Sequence, residues 1–161
     1  MSFKKFLANV LPDKFPPPAI DACSGDDTLR QAAAAAVAGD HRRAESYLDS
    51  QKDWDDRAFA IGYFAQCGQG QDWCDRWHDA VPNSRHAPAV HAARLVELAW
   101  NARGGAWSPS AGGFQTFQTL LDEASRATED AAERWPEDPV PWSTRIAVSI
   151  GRQEGLATAR A

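Results

Sequence analysis

Apolar residues recur every three to four positions along most of this chain, and Gly, Pro and Asp punctuate the stretches between them. That pattern predicts helices joined by short turns. The clearest case follows the turn Pro82-Asn83-Ser84-Arg85-His86-Ala87-Pro88, where Ser84 or Asn83 offers an oxygen cap to a new helix. Beyond His91, the residues Ala92, Leu95, Val96, Ala99 and Trp100 fall on one stripe, with Arg94, Glu97 and Asn101 beside or opposite it. Arg103-Gly104-Gly105 ends that helix, placing a cation in the last turn and a glycine where the chain leaves in a left-handed conformation. A partner helix runs from Phe114 through Phe117, Leu120, Leu121, Ala124 and Ala131 to Trp135, about six turns. Its length calls for a long neighbour, and the segment Pro88 to Arg103 supplies one. Pro136, Pro139 and Pro141 stop it, because proline removes backbone donors and pushes the preceding residue towards extended geometry. A further helix from Val140 to Ile150 has Trp142, Ile146 and Ile150 as its apolar line.

The first half reads the same way. Asp26 or Asp27 caps a helix built on Leu29, Ala32, Ala33, Ala36 and Val37; Gly39-Asp40 breaks it, and Ala44, Tyr47 and Leu48 mark the return, giving a helical hairpin. A second pair places Phe59, Gly62, Tyr63 and Cys67 before the turn Gly68-Gln69-Gly70, and Trp73, Trp77, Ala80 and Val81 after it. The fold class is therefore all-α, a right-handed stack of antiparallel helix pairs with about seven helices. Residues 1–26 form an N-terminal amphipathic segment and a Pro-rich linker, and residues 27–161 the helical domain. In the N-terminal segment Phe3, Phe6, Leu7, Val10 and Leu11 share one face, which we expect to dock on the protein's own domain rather than on a membrane. Residues 151–161 read as a turn and the opening of another helix, so either a short polar cap or a truncated chain is expected.

The offsets between equivalent apolar positions are 30 residues from Leu29 to Phe59 and 33 from Phe59 to Ala92, close to the tetratricopeptide period of about 34. On Ala33, Gly39-Asp40, Ala44 and Leu48, with Pro82 as a closing proline, the chain resembles a tetratricopeptide unit. Residues 54 to 155, through Trp77, Val81-Pro82-Asn83-Ser84, Ala99-Trp100-Asn101-Ala102-Arg103-Gly104, Phe117, Leu121, Pro136, Asp138-Pro139 and Trp142, resemble an uncharacterised bacterial domain family built of helical hairpins. That resemblance implies a helical-pair fold and transfers no activity, substrate or catalytic residue.

Composition narrows the function classes. A formal charge of -5 with no concentration of Lys and Arg argues against a nucleic-acid surface. The apolar run at the N-terminus is too short for a secretory segment, and no run reaches membrane-spanning length, so no membrane partner is expected. Three cysteines, Cys23, Cys67 and Cys74, do not form a secreted disulfide framework, and the natural reading is a reducing cytoplasm. Cys74 and His78 lie four apart, with Cys67 and His41 as further ligand types, but no CxxC or HxxxH pair supports a site, so neither metal nor cofactor is expected. His86, His91 and Glu97 lack any accompanying phosphate loop or nucleophile elbow, and catalysis is not the favoured reading.

Seven tryptophans are the unusual feature, since buried rings fill gaps between helices and exposed rings anchor partners. The Gly/Ser/Pro loop from Gly104 to Gly113, with Trp107 at its centre, is the first place to look for an exposed ring. The expected function is a cytoplasmic protein-interaction scaffold gripping a peptide or protein partner along a groove lined by Trp77, His91, Arg94, Trp100, Arg103 and Trp107. The alternative is an accessory enzyme or small-molecule binder with a pocket between the long helices. Self-association through an exposed apolar face is a third.

Overall fold

The computed structural model of the protein describes residues 21–70, 72–105 and 110–153. The amphipathic segment, most of the Pro-rich linker, Trp107 and the last eight residues, 154–161, lie outside the described residues. Within them the chain is all-helical: α1 (Asp27–Val37), α2 (His41–Ser50), α3 (Trp54–Gln66), α4 (Asp72–Ala80), α5 (Ala87–Arg103), α6 (Ala111–Arg134) and α7 (Val140–Arg152). There is no strand among them, and no described helix is long and apolar enough to cross a membrane.

Polar side chains start most of the helices. Asp26 accepts from the Leu29 amide at 2.8 Å to cap α1, and Asp40 and Asp53 do the same service for α2 and α3. Before α5 the oxygen is that of Ser84, which accepts from the amides of His86 and Ala87 at 3.0 and 2.8 Å. Ser110 caps α6, which begins at Ala111, three residues ahead of the start predicted at Phe114. At the other end of α5, Gly104 takes a positive φ of 70°, as the Arg-Gly-Gly ending predicts.

α5 is the hub. It packs most extensively on α6 and also touches α3, α4 and α7, so it buries side chains on more than one face: Ala89, Val90, Ala92, Arg94, Leu95 and Ala99. Small residues permit this, because alanine lets neighbouring backbones approach from several sides. α3 lies closest to α5 rather than to its sequence neighbour α4. It reaches α4 through large rings instead, with Phe64 and Trp77 centroids 5.9 Å apart. Trp77, fully buried, is the centre of an aromatic core that also includes His41 stacked at 5.9 Å and Trp73 at 6.3 Å. The end of the linker belongs to this packed unit: Cys23 is buried in the same core, and Asp21 pairs with Arg30 at 3.1 Å.

α6 spans 24 residues and buries Phe117, Leu121, Ala124, Thr128 and Ala131 along one stripe. α7 lies on it through its small side. A β-carbon at Gly151 would sit 2.5 Å from Leu121 Cδ1 and 3.1 Å from Phe117, so glycine is what permits the approach. As a result Trp142, Ile146 and Ile150, the apolar line of α7, face away from the core and are 46, 60 and 65% exposed.

Candidate functional site

The C-terminal end of α5, the first turns of α6 and the last turn of α7 enclose a cleft of about 620 Å³. Its floor is Phe117 and Leu121, both buried, and its walls are Trp100, Phe114 and Ile150, all substantially exposed. The rings hold one another. Trp100 meets Phe117 edge-on with centroids 5.1 Å apart, and Phe114 lies 6.3 Å from Phe117, arrangements favoured by the ring quadrupoles. Arg103 sits at the rim with its guanidinium 5.8 Å from the Trp100 ring and Nη1 donating to the Gly104 carbonyl at 3.2 Å. Among the described residues it forms no ion pair with a carboxylate. Across the cleft Arg152 is held by Asp122 at 3.5 Å and by Ser125 at 3.0 Å. An apolar floor under a polar rim of both signs can seat an apolar anchor and orient the groups on either side of it.

A smaller cavity of about 370 Å³ opens where α4, α5 and α6 meet, lined by His78, His91, Leu95, Glu123 and Arg126 among others. His91 Nε2 lies 3.3 Å from an Asp75 carboxylate oxygen.

The six residues expected to line a groove divide accordingly. Trp100 and Arg103 are in the cleft, and His91 is in the smaller cavity. Trp107 lies outside the described residues. Trp77 and Arg94 line neither cavity. Trp77 is in the core with its Nε1 donating to Glu45 at 2.7 Å, and Arg94, 4% exposed, turns inward to three backbone carbonyls. Sequence reasoning missed Phe114, Phe117 and Ile150 as site residues although each stood in an apolar line. The missing signal was the direction in which α7 turns its stripe. The cysteine and histidine ligand set fares similarly: Cys74 is buried, and His41 is stacked on Trp77 rather than gathered with it.

Burial is the leading cause that holds His41, His86 and His91 below the ordinary imidazole range, against the pull of nearby carboxylates such as Asp49 and Asp75. A depressed imidazole pKa means that the unfolded chain, titrating near about 6.5, binds more protons than the fold in the interval below that value. Stability then rises with pH across the interval, is complete above it, and is lost as pH falls towards the folded pKa values. Thermal melts followed by circular dichroism from about pH 7.5 to about pH 5.5 are expected to show a falling Tm. A flat or rising Tm across that range contradicts the assignment.

Comparison with protein-family models, with curated proteins and with solved structures finds no match for this chain. The resemblances to tetratricopeptide units and to the bacterial helical-hairpin family therefore gain no support from those comparisons. What fold and cleft define is a class, an all-helical protein with an aromatic-walled cleft at one end of its long helices.

Proposed function

We propose that this protein is an interaction scaffold that takes an apolar segment of a partner protein or peptide into the cleft between α5, α6 and α7. The observation that carries the reading is the continuity of large exposed apolar side chains. Trp100, Phe114 and Ile150 wall the cleft, and Ile146 and Trp142 extend the line at four-residue spacing along α7. Isolated exposed apolar residues need no explanation, but a contiguous set rimmed by charge is the usual mark of a binding surface. Aromatic rings held by neighbouring rings lose little freedom on binding, which suits them as anchors. Arg103 supports a partner carrying a carboxylate beside its apolar anchor.

The test is capture of a binding peptide from a displayed random library on immobilised protein, followed by titration of the variants. Trp100→Ala and Phe114→Ala are each expected to weaken binding at least about tenfold, the ~1.4 kcal/mol or more typical of an anchor position. Trp54→Ala, an exposed tryptophan on α3, is the control and should leave affinity unchanged. Peptides whose affinity ignores both cleft variants would refute the reading. Sedimentation at several concentrations accompanies the titration, because a second copy on the α7 stripe would appear there as dimer.

A second reading, a small-molecule binder or accessory enzyme, draws on the smaller cavity, where His78, His91, Glu123 and Arg126 converge beside Leu95. Thermal shift against a metabolite panel addresses it. A specific ligand at 100 times its Kd adds about 2.7 kcal/mol, and a flat panel counts against the reading.

A further inference from the structure

Three potential metal ligands meet away from the cleft, at the junction of α2 with the start of α5. Glu45 and Asp49 are one turn apart on α2, a spacing that puts both carboxylates on one face. His86 stands immediately before α5 and is 1% exposed. One ligand atom from each of the three lies within 4.8 Å of the others, and His86 Nε2 is 2.9 Å from Asp49 Oδ1. Metal–ligand bonds of about 2.1 Å place adjacent donors of one ion roughly 3 Å apart and opposite donors about 4.2 Å apart. The observed spacing therefore needs only a small contraction to enclose an ion.

Charge also points to a cation here. Among the described residues neither Glu45 nor Asp49 forms an ion pair with Lys or Arg. Asp49 meets only the His86 ring, and the nearby Arg57 is committed to Asp138 at 2.6 Å. Two acidic side chains thus converge beside one imidazole with no Lys or Arg paired to either, an arrangement that a bound cation would balance. The His86 ring is buried and its Nε2 faces Asp49, which fixes the side from which it would coordinate. The arrangement also has the outer support that metal ligands use. Glu45 Oε1 accepts from Trp77 Nε1 at 2.7 Å and from the Ser84 hydroxyl, which fixes the carboxylate and leaves its other oxygen to coordinate.

We propose that Glu45, Asp49 and His86 form a binding site for a divalent first-row transition cation, tying α2 to the start of α5. Mixed imidazole and carboxylate donors suit Zn²⁺ and its neighbours better than Mg²⁺ or Ca²⁺, which prefer oxygen alone. Asp49 is 64% exposed, so the ion has an entry path from solvent and room for coordinated water.

The experiment is calorimetric titration of ZnCl₂ into the full chain after chelator treatment and exchange into chelator-free buffer near neutral pH. The expected result is one saturable site per chain, at least tenfold weaker in Asp49→Asn and in Glu45→Gln and unchanged in Asp75→Asn, which alters the carboxylate beside His91. Asp49→Asn changes an exposed side chain, and its circular dichroism spectrum should match that of the parent. Removing His86 is avoided because its ring is buried. Absence of saturable binding in the parent protein, or affinity kept within twofold in both Asp49→Asn and Glu45→Gln, would overturn the proposal. The cluster would then be a polar latch on the start of α5, stabilised by that helix's dipole.

Discussion

Arg57→Ala is expected to cost this protein about 3–5 kcal/mol of stability, the range found when one partner of a buried ion pair is removed. Arg57 and Asp138 are 5 and 1% exposed, and their charged groups approach to 2.6 Å. The pair joins α3 to the proline-rich turn between α6 and α7, while the Arg57 guanidinium lies 4.1 Å from the centre of the Trp54 ring. Asp138 also accepts from the Val140 amide at 2.9 Å, so it starts α7 as well as neutralising the arginine. With Arg57 gone, a buried carboxylate keeps only that one backbone donor. Folding stabilities of about 5–15 kcal/mol make such a loss a large fraction of the total. Urea unfolding of Arg57→Ala, Asp138→Asn and Arg57→Met/Asp138→Asn provides the measurement. The double variant leaves no charge buried and keeps the oxygen at the start of α7, and it should recover at least half of the loss. Single variants that unfold at the parent's urea midpoint would show that the pair is not buried as described.

The second large effect is expected at Arg94. Its guanidinium donates to three carbonyls: Ala65 at 2.7 Å, Gly70 at 2.9 Å and Gly68 at 3.1 Å. These belong to the last turn of α3 and the loop that follows, where Gly68 and Gly70 adopt positive φ of 72° and 64°. One buried cation thus satisfies carbonyls that the helix end leaves without partners and offsets the negative end of its dipole. Hydrogen bonds to a charged group contribute about 1.5–3 kcal/mol each and do not add simply, so Arg94→Ala is expected to lose roughly 3 kcal/mol. Arg94→Lys should lose about half of that, because a lysine keeps the charge but lacks the planar fork that reaches three oxygens at once. Hydrogen exchange offers a local check, with faster exchange in the last turn of α3 and in α5 near Arg94. In variants that remain folded, binding at the cleft should be unchanged, which separates this arginine from Arg103.

Arg94 and Arg103 show how far the sequence can be read. Both are arginines on the same helix, and periodicity places neither in its apolar stripe. Arg103 stays at the surface because α5 ends beside it at Gly104. Arg94 is drawn inside because the carbonyl-rich turn after α3, more than 20 residues earlier in the chain, folds over it. The same contrast holds among the tryptophans. Trp77 and Trp100 occupy equally apolar helical positions in the sequence, yet one is the centre of the core and the other a wall of the cleft. Of the cleft, Trp100 and Arg103 could be picked out in advance. Phe114, Phe117 and Ile150 could not, since an apolar line reads the same whether it faces a neighbour or solvent.

What the sequence by itself determined is local. The all-α class, the helices and several of their ends follow from the 3.6-residue period, from Asp26, Asp40 and Ser84 as capping oxygens, and from the glycine and proline breaks. These signals act within a few residues, so they need no knowledge of the rest of the chain. Which face each helix turns inward was decided only by the tertiary structure. α7 exposes Trp142, Ile146 and Ile150 because Gly151 and Val148 let its narrow side close on α6, and α5 is buried on several faces because α3 and α7 reach it as well as its sequence neighbours α4 and α6. Periodicity gives a helix its stripe, but the free energy of burying that stripe depends on what arrives opposite it.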